Sequence, residues 1–345
     1  MLHLPLHIRP RRDPVRLVTN DEQHMARAIQ VAAGVRCHTS PNPWVGCVIV
    51  TNSGEIFEGA TAVPGGPHAE ATALRLADAK AAGATLYTTL EPCSHHGRTP
   101  PCNSAVIAAG VRRVVVGIED PDHLVAGRGI TELRSAGIEV TVGILADDVT
   151  EQLRPYLTHR RTGRPFVVLK MASTLDGRTA APDGTSQWIT SADVRAAVHQ
   201  LRAESDAVCV GAGTVRVDNP TLTVRSFSGP KPRRIVLGKA PADAAVHPCV
   251  EWGGPLPELL DHLGSEGVLQ LLVEGGASVA ASFHRERLVD RYIMHVAPAF
   301  FGGNDARPLF DGLGAATMAD LWRGRFCSSR LVGDDIELVM DRVSA

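Results

Sequence analysis

Four residues in the first half of the chain have the types and spacing of a zinc site: His68, Glu70, Cys93 and Cys102. One imidazole and two thiolates suit Zn²⁺ and leave a fourth coordination position open for water. The thiolates also cancel the formal charge of the ion, and water in such sites has a pKa of about 7. Glu70 need not be a ligand, because a carboxylate there can pass the proton of that water to a substrate nitrogen.

This order of residues is typical of zinc nucleobase deaminases, in which His-x-Glu precedes Pro-Cys and a second cysteine. One alternative is a purely structural zinc, for which His95 or His96 would supply the fourth ligand. Another is that both cysteines are ordinary core residues. The strand predicted before Glu91 and the helices predicted after the ligands favour an open catalytic site. We interpret the remaining cysteines as structural thiols: Cys37, Cys47, Cys209, Cys249 and Cys327.

Two glycine-containing turns in the second half could hold a phosphate. Residues 211–214 and 273–278 each follow a predicted strand and lead toward a helix, whose first N–H groups attract anions. Taken singly, each is more often only a turn. No Gly-x-Gly-x-x-Gly follows an early strand, so a Rossmann domain is not indicated.

Strands that alternate with helices surround these residues and predict sheets covered by helices. A capping-box pattern at residues 19–22 begins the first helix. In the first half we predict strands at 44–51, 55–61, 84–90, 111–118 and 138–145, and helices at 68–82, 102–109 and 130–136. In the second half we predict strands at 166–171, 207–210, 234–237, 269–273 and 292–297, and a helix at 192–204.

Length and composition predict a soluble, cytoplasmic protein of two domains. The chain has 345 residues, of which 44% are apolar, and a formal charge of −2. That balance argues against binding to nucleic acid or anionic membranes. The longest apolar runs, such as 45–50, are far shorter than the ~20 residues of a membrane span.

Domain boundaries follow from composition. We predict a flexible tail at 1–18, where Pro, His and Arg do not read as a signal peptide. The zinc domain then occupies 19–150. A charged linker at 151–165 ends in two arginines, Thr-Gly-Arg and a proline, and a second α/β domain occupies 166–345.

The chain resembles one family, the bifunctional riboflavin-biosynthesis deaminase/reductases. Most nucleobase deaminases have two residues between the cysteines, whereas eight intervene here, as in this family. The segments that carry the resemblance are PNPWVGCVIV (41–50), PHAE (67–70), EPCSHHGRTPPC (91–102), AGRG (126–129), KMASTLDGR (170–178), SQWIT (186–190), DNPTLTVR (218–225) and VEGG (273–276). The match covers residue 21 to the C-terminus.

The resemblance implies that the first domain has a cytidine-deaminase-like, three-layer α/β/α fold. It would hydrolyse the exocyclic amine of a diamino-hydroxy-(phosphoribosylamino)pyrimidine. The zinc-ligand positions of the family match His68, Cys93 and Cys102, and the proton shuttle matches Glu70. Asn42 matches a residue that reads the pyrimidine edge. His95 and Arg98 match an insert that approaches the substrate, although a solvated loop also explains them.

The second domain would resemble dihydrofolate reductase, an α/β fold, and reduce the ribosyl group to ribityl with NADPH. Positions that match nucleotide contacts are Ala172, Trp188, Thr214, Asp218, Gly276, Ala277, Ser278, Val279, Ala280, Ala281 and Ser282. Positions that match substrate contacts are Ser186, Arg202, Leu222, Arg225 and Glu274, with Lys170 and Asp176 in the same motif set. Arg202 by itself reads as a surface charge, and no catalytic base stands out in this half.

Three segments depart from the family pattern. Asp122 and His123 stand where the family has Asn-Pro, and residues 236–239 replace a Val-Asp-Ser strand end. The segment 240–267 that follows is short. We hypothesise that Lys239 binds the 2′-phosphate of NADPH, because a lysine there adds charge.

Three other interpretations stay open. The first is a different nucleobase deaminase fused to a reductase of other specificity, and the second is a deaminase that has lost its reductase activity. The third is a zinc-dependent nucleic-acid module, which the charge balance and the 4% aromatic content disfavour. The expected partners are a small phosphorylated substrate and further copies of the chain, as a dimer or tetramer implied by the resemblance.

Overall fold

The computed structural model describes residues 19–94, 101–122, 125–225 and 227–343, which form two successive α/β units. The first unit contains α1 (Asn20–Ala33), β1 (Gly46–Val50), β2 (Ile56–Ala60), α2 (Ala69–Ala77), β3 (Thr85–Leu90), α3 (Cys102–Ala108), β4 (Arg113–Ile118), α4 (Arg128–Ser135) and β5 (Glu139–Val142). Its sheet has the order β2-β1-β3-β4-β5, with β1 antiparallel to both neighbours and β3, β4 and β5 parallel.

Helices cover both faces of this sheet. A Cβ at Gly46 would overlap the Ala28 carbonyl of α1, and one at Gly59 would overlap the Ala69 carbonyl of α2. Gly59 pairs with Cys47, the neighbour of Gly46, so the two glycines face opposite sides. The first unit therefore has the three-layer α/β/α architecture that the resemblance implies.

The start of α1 confirms the predicted capping box, whereas α2 is shorter than predicted. The Thr19 amide donates to Glu22 Oε2 (2.9 Å), and the Glu22 amide donates to Thr19 Oγ1 (3.2 Å). The helix predicted at 68–82 changes to a 3₁₀ helix at Asp78–Ala81. Asp78 has a φ of 48°, in the left-handed region that a right-handed helix cannot include.

The predicted linker at 151–165 is largely helical. It contains the end of α5 (Ala146–Gln152) and all of α6 (Arg154–Thr162). Tyr156 and Leu157 pack in the core of the first unit. His159 Nε2 lies 2.9 Å from the Gly264 carbonyl oxygen of the second unit. Helix α6 therefore contacts both units.

The second unit contains β6 (Phe166–Thr174), β7 (Arg178–Ala180), α7 (Ala192–Ala203), β8 (Ala207–Gly211), α8 (Ala212–Asp218), β9 (Arg233–Leu237), β10 (Val250–Trp252), α9 (Leu256–Ser265), β11 (Gln270–Val273), α10 (Ala277–Arg285), β12 (Arg291–Ala297), β13 (Arg307–Pro308), β14 (Gly324–Val332) and β15 (Asp335–Arg342). Its main sheet has the order β10-β9-β8-β11-β6-β12-β15-β14, parallel from β10 to β12 and antiparallel beyond. Strands β7 and β13 form a separate small sheet.

The five strands predicted in the second half are confirmed as β6, β8, β9, β11 and β12. Strands β14 and β15 were not predicted, and β14 is exposed along most of its length, so its residues lack a buried–exposed alternation. Within the described part of the chain, no helix is both long enough and apolar enough to cross a bilayer.

Candidate active sites

The structure brings the three predicted zinc ligands together at one end of the first sheet. His68 is the residue before α2, Cys93 follows β3, and Cys102 is the first residue of α3, as predicted. His68 Nδ1 lies 3.6 Å from Cys93 Sγ and 3.3 Å from Cys102 Sγ. All three ligand atoms lie within 4.8 Å of one another.

This donor set fits a zinc ion. Ligands bonded about 2.0–2.3 Å from one tetrahedral centre lie about 3.5 Å apart, close to the distances observed. Hydrogen bonding between the thiols lowers the pKa of Cys93 and raises that of Cys102, as in a pair that shares one proton. Three protein ligands are found among the described residues, a set that would leave one tetrahedral position for water. His95 and His96, which the structural-zinc alternative would use as a fourth ligand, lie outside the described residues.

Glu70 occupies the first turn of α2 and is buried, with 3% of its surface exposed. Burial raises the pKa of its carboxyl group to about 7. Its interactions with Cys93 and His68 show that the carboxyl group lies beside the ligands. The arrangement places a proton acceptor next to the open position, where hydrolysis would need one.

The other predicted residues of the first site are only partly described. Asn42 is half-buried, and its backbone N–H donates to the Thr39 carbonyl (2.8 Å). His95 and Arg98 lie outside the described residues, as does His123 of the departing Asp122-His123 pair. Asp122 forms an ion pair with Arg160 of α6 (3.4 Å).

In the second unit, the two glycine-containing turns lie side by side because β8 and β11 are neighbours. A Cβ at Gly276 would lie 3.7 Å from Thr214 Oγ1, and one at Gly211 would lie 2.8 Å from Val279 Cγ2. Helices α8 and α10 therefore begin next to each other, with their free N–H groups at one edge of the sheet. Such a double helix start suits the phosphates of a dinucleotide.

Residues 276–282 divide between the surface and the core. Gly276 and Ser278 are exposed, and Ser278 Oγ donates to Asp311 Oδ2 (2.9 Å). Ala280 and Ala281 are buried, so their side chains pack in the core. Ala277, Val279 and Ser282 are partly exposed, and Ser282 Oγ donates to the Ser278 carbonyl (3.0 Å).

A cluster of charged groups lies beside these turns. Arg202 is paired with Glu274 through two hydrogen bonds, Nε to Oε1 (2.6 Å) and Nη2 to Oε2 (2.8 Å), and both side chains are largely buried. Lys170 lies close to both: burial lowers its pKa, Glu274 opposes that shift and Arg202 adds to it. Arg202 is thus not the surface charge that the sequence alone suggested.

Two further predicted contacts lie in the loop between β7 and α7. Ser186 and Trp188 line a cavity of about 260 Å³, and Arg195 stacks 4.6 Å from the Trp188 ring. Asp218, the last residue of α8, interacts with Gln187, which lies between Ser186 and Trp188. Burial raises the pKa of the Asp218 carboxyl group. Sequence reasoning missed Gln187, although it lies inside the SQWIT motif.

Leu222, Arg225, Asp176 and Ala172 have different environments. The side chain of Leu222 is buried and its φ is 50°, so a substrate contact of this residue would have to come from its backbone. Arg225 is exposed. Asp176 accepts hydrogen bonds from Thr174 Oγ1 (2.5 Å) and the Gly302 amide (2.9 Å), so its carboxylate already holds a turn. Ala172 lies in β6, partly exposed.

Known protein families match both units. The family model of the cytidine and deoxycytidylate deaminase zinc-binding region matches residues 18–118, and that of the RibD C-terminal domain matches residues 165–338. The chain is 40% identical to riboflavin biosynthesis protein RibD of Escherichia coli K12, over 92% of this chain and 98% of that protein.

Solved structures agree along nearly the whole chain. RibD of Acinetobacter baumannii has a TM-score of 0.88 at 37% identity, and covers 94% of this chain and 99% of its own. A Thermotoga maritima diaminohydroxyphosphoribosylaminopyrimidine deaminase/5-amino-6-(5-phosphoribosylamino)uracil reductase has a TM-score of 0.85 at 34% identity, with the same coverage. The chain therefore belongs to the RibD family of bifunctional riboflavin-biosynthesis deaminase/reductases.

Proposed function

We propose that this chain deaminates 2,5-diamino-6-(5-phosphoribosylamino)pyrimidin-4-one and then reduces 5-amino-6-(5-phosphoribosylamino)uracil to its ribitylamino product with NADPH. The observation that carries the proposal is the three-ligand group with a buried carboxyl beside it, in one chain with the paired glycine turns. The names of the related proteins supply the substrates.

In the deaminase step, His68, Cys93 and Cys102 would hold zinc, and the ion would supply a water molecule of lowered pKa. Glu70 accepts the proton of this water and donates it to the pyrimidine ring nitrogen. Asn42 contacts the edge of the pyrimidine. His95 and Arg98, in the insert between the cysteines, bind the phosphoribosyl group.

In the reductase step, NADPH would supply a hydride to C1′ of the sugar. The glycine turns and Trp188 hold the nucleotide. Reduction at C1′ breaks the bond to the ring oxygen O4′, which must then gain a proton. Lys170 is proposed as the donor, because its partly buried ammonium group interacts with both Arg202 and Glu274. Arg202 and Arg225 would bind the sugar phosphate.

Lys239 is proposed to recognise the 2′-phosphate of NADPH. Its side chain is 90% exposed and its Nζ lies 2.9 Å from Glu251 Oε2. The preceding Gly238 packs against Ala212 at the start of α8, so Lys239 follows the same sheet edge as the nucleotide turns. Lys239→Ala should lower the NADPH-over-NADH preference about tenfold, the value of one charged hydrogen bond. Steady-state kinetics with both nucleotides measure this, with the exposed Lys231→Ala as the control. An unchanged preference in Lys239→Ala contradicts the assignment.

A homodimer or larger homo-oligomer is also proposed, formed through the edge strand β14. Phe326 and Leu331 are 66% and 73% exposed. Phe326 pairs with Met340 and Leu331 pairs with Ile336, two residues that point to the same face of β15. Phe326 and Leu331 share that face, despite their odd spacing along β14, because a β-bulge lies between them. An edge strand with an apolar patch favours pairing with a second copy of the chain.

Charged residues in this patch are therefore expected to separate the subunits. The double variant Phe326→Asp/Leu331→Asp should have half the mass of the wild-type dimer in light scattering, or a correspondingly smaller fraction of a tetramer. Ser328→Asp, whose side chain lies on the opposite face, serves as the matched control. Unchanged mass in the double variant, or a monomeric wild type, excludes β14 as the interface.

We propose the domain boundaries that the sequence predicted: a tail at 1–18, the zinc deaminase domain at 19–150, a linker at 151–165 and the reductase domain at 166–345. The proposed linker includes helix α6, which contacts both units. Cytoplasmic localisation is proposed with them, because thiolate ligands need reduced cysteines. Binding of nucleic acid or membranes is not part of the proposed function.

The two activities can be tested separately. Supplied with 5-amino-6-(5-phosphoribosylamino)uracil, the enzyme should oxidise NADPH even after a chelator has removed zinc. Supplied with the diamino pyrimidine, the chelated enzyme should release no ammonia. Failure to oxidise NADPH with the uracil substrate would favour a deaminase that has lost its reductase activity.

A further inference from the structure

The AGRG motif at residues 126–129 has no role in either proposed reaction, yet its backbone contacts a buried carboxylate next to the zinc ligands. Glu91 is 3% exposed and lies two residues before Cys93. Its Oε2 accepts hydrogen bonds from the amides of Gly127 (3.0 Å) and Asp120 (3.2 Å), and its Oε1 accepts one from Ile130 (3.1 Å). One carboxylate thus joins the cysteine loop to the start of α4.

The same turn of α4 also packs directly against this loop. A Cβ at Gly129 would lie 2.3 Å from the Pro92 carbonyl oxygen and 3.0 Å from Glu91 Oε1. Only glycine permits that approach. Pro92, the residue before the first cysteine ligand, is therefore held in place by its own backbone contact with Gly129 and by the neighbouring Glu91.

The second cysteine ligand is anchored to the same turn by its neighbour. Asn103 is 1% exposed, and its Nδ2 donates to the Gly129 carbonyl (3.1 Å) and to Glu132 Oε2 (3.1 Å). The backbone N–H of Asn103 donates to the Cys93 carbonyl (3.2 Å), so the two ligand segments are also joined to each other. Both thiolates therefore depend on one support, the first turn of α4.

We infer that Glu91 is a positioning residue of the deaminase site, which with Asn103 holds the two cysteine ligands at the spacing that zinc requires. Its role depends on the deaminase function proposed above. Groups that orient metal ligands typically contribute about 10- to 100-fold in metal affinity or activity when they are removed. Glutamine has the shape of Glu91, but its amide nitrogen would face backbone donors.

Metal affinity tests this role apart from catalysis. Glu91→Gln should bind Zn²⁺ about 10- to 100-fold more weakly in competition with a chelator. Co²⁺ bound to this variant should show a weakened thiolate absorption, and ammonia release should fall. Reduction of the uracil substrate should be unchanged. Glu58→Gln, which changes a partly exposed carboxylate paired with Arg27, is the matched control and should behave as the wild type.

If Glu91 had only a structural role, Glu91→Gln would lower thermal stability but leave the metal binding of the folded protein normal. Wild-type Zn²⁺ affinity and Co²⁺ absorption in folded Glu91→Gln would therefore overturn the inference. If that variant does not fold, Asn103→Ala carries the same expectation and the same contrary result. A wild-type enzyme that releases no ammonia would refute the deaminase function, whereas the metal measurements would still decide the role of Glu91.

Discussion

Glu70→Gln is expected to lower the rate of ammonia release about 10²- to 10⁴-fold, the usual contribution of a general acid–base group. Glutamine keeps the size of the buried side chain but cannot accept the proton of the attacking water. The ligands His68, Cys93 and Cys102 are untouched, so zinc content should stay equal to that of the wild type. Ammonia release and bound zinc are measured on the same preparation.

Two comparisons make this result specific. Glu70→Gln should still reduce 5-amino-6-(5-phosphoribosylamino)uracil at the wild-type rate, because that reaction occurs in the other unit. Glu58→Gln, which changes a partly exposed carboxylate of the same unit, should retain full deamination. Substantial ammonia release by Glu70→Gln with zinc bound would rule out Glu70 as the proton shuttle.

Lys170→Met is expected to cause the corresponding loss in the reductase, again about 10²- to 10⁴-fold in kcat. Methionine keeps a side chain of similar length in this partly buried position but provides no proton for O4′ when the C1′–O4′ bond breaks. It also leaves Glu274 with Arg202 as its remaining cationic neighbour in the cluster. The measurement is NADPH oxidation with the uracil substrate at saturating concentrations of both.

The control for this variant is Lys231→Met, an exposed lysine of the same unit. Binding of NADPH, followed by fluorescence titration, should be little changed in Lys170→Met if the residue acts on the sugar oxygen. A loss confined to the KM of NADPH, with kcat retained, would instead assign Lys170 to the nucleotide and contradict its role as proton donor.

The grouping of His68, Cys93 and Cys102 could be predicted from the sequence because each residue is marked by its local context. His68 and Cys102 begin helices and Cys93 follows a strand, so residue type and predicted element agree at all three positions. The parallel arrangement was also predictable, since continuous apolar runs such as those of β8 and β11 form strands buried on both faces.

The reductase cluster could not be derived from local patterns. Arg202 and Glu274 are 72 residues apart and meet because helix α7 packs beside the end of β11. Sheet order determines that contact, and hydrophobic periodicity does not encode sheet order. Glu91 was missed for a related reason, because its three partners are backbone amides whose positions no side-chain motif reports.

Ammonia release and NADPH oxidation, followed together in one reaction, test most directly the claim that the enzyme deaminates and then reduces its substrate. The wild-type enzyme is given the diamino pyrimidine and NADPH, and ammonia and nicotinamide absorbance are recorded over the same time course. Deamination followed by reduction predicts equal final amounts of ammonia released and NADPH oxidised, with ammonia appearing first. Ammonia release without any oxidation of NADPH, or oxidation that precedes ammonia release, would contradict the two-step function.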